Sequence, residues 1–338
     1  MAQQTIGTAV TYLDIASRLG PDNKIAKIIE MQAQTNEILE DMIVKEANSV
    51  LGHRTTIRTG LPSATWRLLN YGVQPSKSKT AQVTDTTGML EAYAEVDKAL
   101  ADLNGNTSEF RLSEDRAFLE AMNQSMASTL FYGNQNVYPE RFTGLAPRYA
   151  TPSATETDIG YNIVGYHDES AGSGSDVFDM FLVVWGENTI HGIYPKGSVA
   201  GFEHQDLGEV TLSDAAGGNY QGYRTHYKWE LGLCVRDWRY GVRLCNVDLS
   251  DLAAETTTSA LLDAMDKCYY KIPSFSMGKA AWYAPPAVLP YLQKQAAYRA
   301  SSSLTLDYPT GKPVVKHLGI PIRKCQALVA SSDEITFS

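Results

Sequence analysis

Apolar residues recur along this chain with two different periods, and each marks a different kind of element. In SEFRLSEDRAFLEAMNQSMASTLFYG, residues 108 to 133, Phe118, Leu119, Met122, Met126 and Leu130 follow the three- and four-residue spacing of a helix face. Glu114 and Asp115 lie toward the N-terminal end, where the helix dipole favours acids, and Gly133 suits a left-handed C-terminal cap. The pattern predicts one long helix over about 108–132 with those five side chains as its core stripe. A stripe with methionines could also line a ligand groove, but ordinary core packing is the expectation. A shorter amphipathic helix is predicted over 21–36, where Pro21 and Asp22 make a start and Ile25, Ile28 and Ile29 share a face.

Strict alternation takes over further on. In YRTHYKWELGLCV, Tyr223, Thr225, Tyr227, Trp229, Leu231, Leu233 and Val235 fall on one face, and Arg224, His226, Lys228 and Glu230 on the other. Trp238, Tyr240, Val242 and Leu244 continue the alternation past Asp237, so two long, half-buried strands are predicted. Residues 152–176, polar and ending in GSGS, read as a surface loop. Helical pattern returns over 256–270 and 286–300, and HLGIPIRKCQALV, residues 317–329, reads as a closing strand. The class is mixed α+β with two lobes, which suits a length of 338 residues.

One stretch fits neither period for long. In residues 53–84, HRTTIRTGLPSATWRLLNYGVQPSKSKTAQVT, a short alternating run is interrupted at Gly60-Leu61-Pro62. This predicts an extended arm that doubles back, too poor in apolar residues to build a core of its own. Charge sharpens the picture. The chain carries a net charge of −9, yet residues 47–84 hold Arg54, Arg58, Arg67, Lys77 and Lys79 and no acid, so +5 sits in this stretch and −14 in the remainder. Opposite surfaces on one molecule attract each other between copies.

Composition narrows the function. A hydrophobic share of 43% and a charged share of 20% are those of an ordinary globular protein. The strongest apolar run, FLVVW at 181–185, is far shorter than the roughly 20 residues that cross a bilayer, so no membrane partner is expected. The N-terminal residues lack the basic and apolar regions of a secretory signal. Cys234, Cys245, Cys268 and Cys325 form no CxxC pair, which argues against a zinc site or a disulfide framework and for a reducing cytoplasm. The six histidines never pair at metal-binding spacing, so neither metal nor cofactor is expected, although ligands that only the fold brings together stay hidden in a sequence. Asp248, Asp251 and Glu255 precede a predicted helix and read as N-capping rather than as a cation site. Tyr223, Tyr227, Trp229 and Trp238 mix with Arg224, Lys228, Arg236, Arg239 and Arg243 as on a base-stacking platform, but the aromatics and bases lie mostly on opposite faces, the pattern of a packed sheet. Serine-hydrolase, zinc-protease, dinucleotide and P-loop signatures are all missing, so no enzyme is expected.

Several segments together resemble the major capsid proteins of tailed double-stranded DNA phages. LFYGNQNVYPERFTGLAPRY after the long helix carries Gly133, Pro139, Phe142, Gly144 and Leu145 at matching places, and HLGIPIRKCQAL is similar to the Gly-x-Pro strand of HK97-fold subunits, here Gly319 and Pro321. The resemblance is greatest to the capsid proteins of short-tailed phages related to epsilon15 and Bordetella phage BPP-1, and also runs through TGLPSATWRLLNYGVQPSKS and GYRTHYKWELGLCVRDWRY.

The resemblance implies an N-terminal arm at 1–50, an E-loop hairpin at 51–88, and a P-domain at 89–150 built on the spine helix. It further implies P-domain strands within the β-rich segment 151–250 and an A-domain at 251–338. Strands that follow the Gly-x-Pro segment in the commonest type precede it here, which implies a permuted segment order. The implied function is self-assembly into pentamers and hexamers of an icosahedral shell around the genome, with an encapsulin-like compartment as the alternative. Arg54, Arg58, Trp66, Arg67, Leu68, Lys77 and Lys79 are the expected intersubunit contacts of the E-loop. Arm-like sequence starts almost at Met1, which predicts a separate scaffolding protein. A portal protein, a decoration or cement protein and weak, non-specific contact with packaged DNA complete the expected partners. The expected location is the virion capsid, with assembly in the host cytoplasm.

Overall fold

The computed structural model describes residues 34, 36–49, 52–102, 107–166, 177–214, 216–254, 260–298, 304–307, 314–330 and 335–337. The helix expected over 21–36 lies almost wholly outside them. In chain order the first elements are α1 (Ile38–Asp41), β1 (Val44–Glu46), β2 (His53–Gly60), β3 (Lys79–Asp85), β4 (Thr87–Asp97), α2 (Lys98–Ala101), α3 (Thr107–Tyr132) and α4 (Leu145–Arg148). Then come β5 (Ile163–Gly165), β6 (Val177–Trp185), β7 (Ile190–Tyr194), β8 (Phe202–Ser213), β9 (Asn219–Val235) and β10 (Gly241–Asp248). The chain closes with α5 (Leu249–Ala254), α6 (Ala260–Lys271), β11 (Lys279–Ala284), α7 (Leu289–Tyr298), β12 (Leu304–Asp307), β13 (Val314–His317) and β14 (Ile320–Lys324).

Two compact units divide the chain discontinuously: residues 1–34, 89–126 and 201–230 form one, and 35–88, 127–200 and 231–338 the other. The β-rich segment 151–250 is thus shared between them. In the first unit, β8 and β9 pair antiparallel from Phe202↔Trp229 to Ser213↔Asn219. Met122 of α3 packs with Ala94 of β4 and Tyr227 of β9, and Phe118 and Trp229 close that cluster. Val96, Leu100, Ala101 and Phe110 form a second small cluster there.

The second unit holds the larger core. Strand β6 is buried along almost its whole length, flanked by β10 and β11, both antiparallel to it. A strand covered on both faces must be apolar on both, and that is what the FLVVW run supplies. Met180, Leu182 and Val184 face a cluster completed by Leu261, Met265 and Cys268 of α6, Trp282 of β11, Val288 and Leu292, and Ile320 and Ile322 of β14. On the opposite face the Phe181 ring lies 5.4 Å from that of Phe131, which in turn lies 6.2 Å from Tyr283. No helix among the described residues is long and apolar enough to cross a membrane.

Several expectations change in physically instructive ways. Helix α3 spans 107–132, but Leu119 is 39% exposed while Met122 and Met126 are 3% exposed and Leu130 is 0% exposed. Phe118, Met122, Met126 and Leu130 make one four-residue row; Leu119 stands about 60° from Met122 around the helix, on a row it shares with exposed Leu112. Met122→Ala should therefore cost about 2–5 kcal/mol and Leu119→Ala within about 1 kcal/mol. Chemical denaturation of the unassembled subunit checks the pair, and equal losses would return Leu119 to the core.

The first-turn acid is Glu109 rather than Glu114 or Asp115, because the helix starts at Thr107. Gly133 is absent from the glycines with positive φ. Its role is close approach: a Cβ there would sit 2.5 Å from the Phe142 and Thr129 carbonyl oxygens, and one on Gly144 2.6 Å from Thr129 O. Both glycines let residues 142–144 pass against the last turn of α3. Trp238 and Tyr240 are not in a strand but in a short 3-10 turn, because the Asp237 carboxylate accepts from Arg239 N at 3.1 Å. Within the expected loop 152–176, Ile163–Gly165 is a buried strand paired with β10. Asp248 caps not the helix expected from 256 but the short α5 before it, accepting from Ser250 N at 2.7 Å, and Asp251 lies inside α5.

Candidate functional site

Strands β2 and β3 form a two-stranded hairpin whose register runs from His53↔Asp85 to Arg58↔Thr80, with an irregularity before Gly60↔Lys79. Small and β-branched side chains (Thr55, Thr56, Ile57, Val83) suit strands, and Leu61-Pro62 ends the first of them. Residues 61–78 have no regular structure beyond a turn at Leu69-Asn70, where Asn70 adopts φ 69°.

The root of the hairpin is tightly held. Asn48 matches the backbone of β2, donating from Nδ2 to Arg54 O at 2.6 Å and accepting from Arg54 N at 2.8 Å. Buried Asp85 pairs with Arg148 at 2.8 Å, and Arg148 also donates to Leu233 O at 3.1 Å. Gly52 takes φ 138°, and a Cβ on it would sit 2.3 Å from Asp85 O; one on Gly232 would sit 2.5 Å from Thr86 O. Below the root, His53 and His191 stack edge to face at 5.6 Å, beside Cys234. Burial pulls both histidines below their ordinary value, His191 to about 4, and pushes the Cys234 thiol up.

The tip is the reverse of the root. Trp66 is fully exposed, and Leu61, Leu68, Leu69, Tyr71 and Val73 are all at least half exposed. Trp66 and Leu68 are the apolar contacts expected from the sequence; Leu61, Leu69, Tyr71 and Val73 extend the same exposed run, which no helical or strand period marks. Arg54, Arg58, Arg67, Lys77 and Lys79 are exposed and have no ion-pair partner among the described residues. Elsewhere bases are neutralised: Arg224 meets Glu95 at 2.5 Å, Arg111 meets Asp206 at 2.5 Å, Lys98 meets Glu209 at 2.7 Å and Arg243 meets Asp179 at 2.7 Å. Of the bases considered for a stacking platform, Arg224 and Arg243 are thus paired, and Lys228 and Arg239 pair with Glu230 and Asp237. Exposed apolar side chains gathered beside unpaired bases are the kind of surface that marks an interaction site.

The family model of the major capsid protein GP7 matches residues 20–336. The chain belongs to that family. A chain in the solved structure of bacteriophage epsilon15 is similar at 35% identity and TM-score 0.79, covering 99% of this capsid subunit and 100% of that chain. The capsid of bacteriophage JBD30 shares the fold at 10% identity and TM-score 0.51, over 94% of this chain and 99% of that one. An encapsulin complex from Synechococcus elongatus matches at 9% identity and TM-score 0.43, too slight a likeness to bear on function. No curated protein sequence matches the chain. The capsid subunit therefore has the HK97-like fold of phage shells and is a structural component of the virion capsid, where copies of it assemble into a shell. Epsilon15 is also the phage group to which the sequence segments pointed.

Proposed function

We propose that the subunit assembles into pentamers and hexamers of an icosahedral shell around a double-stranded DNA genome, and that residues 51–88 act as an E-loop laid across a neighbouring copy. The observation that carries this is the hairpin itself: anchored by Asp85 and Arg148 at its root, and presenting Trp66, Leu68 and uncompensated Arg54, Arg58, Arg67, Lys77 and Lys79. The remainder of the chain, at −14, supplies the opposite charge. The N-terminal arm role falls to residues 1–50 and the A-domain role to 251–338. The P-domain role falls to 89–150 with strands from 151–250; of these, 89–126 clusters with 201–230, and 127–150 falls in the other unit.

Assembly takes place in the host cytoplasm with a separate scaffolding protein, a portal protein and a decoration or cement protein. Contact with packaged DNA is weak and non-specific, and the subunit performs no reaction. Electron microscopy of assembled protein is the test. Closed shells with five- and six-fold capsomers, each tip seated on an adjacent subunit, are expected; protein that stays as free subunits at every concentration and with every partner protein would overturn the reading.

A further inference from the structure

Beneath the arm, two strand pairs bring metal-ligand chemistry together. His53 stands opposite Asp85 in the β2–β3 pair, and His191 opposite Cys234 in the β7–β9 pair. One ligand atom from each of His53, His191 and Cys234 lies within 4.8 Å of the others. We propose that these three side chains bind a divalent transition-metal ion of the zinc type, stapling the root of the arm to the sheet. The inference does not depend on where the tip of the arm docks.

Three observations support it. His191 is 1% exposed, yet neither of its ring nitrogens has a hydrogen-bond partner among the described residues, and a buried polar group without a partner is costly unless something else satisfies it. The donor set, two imidazoles and a thiol, is that of borderline-soft ions such as Zn2+ rather than of Mg2+ or Ca2+. Preorganisation is the third. Ligand atoms around tetrahedral zinc stand roughly 3.3–3.6 Å apart, given bonds of about 2.0–2.3 Å, so closing from 4.8 Å takes side-chain adjustment of about 1 Å on fixed backbones.

Asp85 stands beside the three. Its Oδ1 pairs with Arg148 at 2.8 Å and it lies outside the three-atom cluster, so the fourth position falls to water. The thiol must lose its proton on binding; the thiolate then offsets part of the ion's charge, and Asp85 stays paired with Arg148. The other charges that face the site are Lys45, held by Glu187 at 2.6 Å, and Arg236, held by Asn188 Oδ1 at 2.9 Å. Binding through His53 Nε2 puts a proton on Nδ1 and gives up its long 3.3 Å bond from Asn48 N.

Cobalt(II) is the probe, because its thiolate charge-transfer band reports a Co–S bond directly. Folded subunits or empty shells are equilibrated with Co2+, freed of excess ion and assayed for bound metal and near-ultraviolet absorption. The expected result is about one ion per subunit, a thiolate charge-transfer band, and loss of that band on adding Zn2+. Cys234→Ser should abolish the band, His53→Ala should weaken binding at least tenfold, and His204→Ala, at an exposed position, should change neither. Wild-type protein without the band overturns the proposal even if no variant folds, and so does a band that persists in Cys234→Ser.

Discussion

Subunits carrying Arg58→Glu with Arg67→Glu should fold normally yet form empty shells at less than about a tenth of the wild-type yield. Neither side chain has an ion pair among the described residues, so little folding free energy is at stake when both are reversed. Each exposed attractive pair is worth only about 0–1 kcal/mol, but reversal replaces attraction by repulsion, and like charges forced together at an interface cost several kcal/mol. About 1.4 kcal/mol per contact already shifts association tenfold, and every copy in a shell repeats the contact. Trp66→Ala should act in the same direction by another route. A buried interface tryptophan is worth about 2 kcal/mol or more, and this one is fully exposed in the single chain. Salt sensitivity would not discriminate, because contacts to protein and to DNA are both screened. Empty shells do discriminate, since they hold no DNA. If the double variant forms them at wild-type yield and only genome packaging fails, the bases serve DNA and the docking reading is wrong.

Arg243→Met should cost about 3–5 kcal/mol of subunit stability, a large share of the roughly 5–15 kcal/mol of a typical domain. Arg243 and Asp179 are each 11% exposed and meet at 2.7 Å across the β10–β6 pair. The same guanidinium donates to the carbonyls of Tyr149 at 2.8 Å and Ala146 at 3.2 Å. Removing it strands a buried carboxylate and two carbonyls, which is far more costly than the ion pair is stabilising. Two comparisons make the mechanism testable by urea denaturation. Arg239→Met breaks a pair whose arginine is 56% exposed and should cost within about 1 kcal/mol. Arg243→Met with Asp179→Leu should recover most of the loss, because no charge is then left buried alone. A double variant as unstable as the single one would place the cost in packing instead.

Local pattern determined a good deal of this protein. The helix over 107–132 and the buried row of Met122, Met126 and Leu130 follow from backbone periodicity, which each side chain reports through its own position. The long strand β9, the capping role of Asp248 and the uncompensated charge of residues 47–84 are equally local properties, and so are the segments that resemble phage capsid proteins. What the tertiary structure decided is which of several locally equivalent choices is covered, and which distant groups meet. Leu119 and Met122 are alike on a helical wheel until Ala94 and Tyr227 arrive on one side only. Gly133 reads as a turn residue until the carbonyl of Phe142 comes within reach of the space its missing Cβ leaves. Arg243 looks like one more base on a polar face until β6 brings Asp179 beside it. His53, His191 and Cys234 share no motif, because their proximity is created by two separate strand registers; spacing along one chain carries no information about a point where two strand pairs meet.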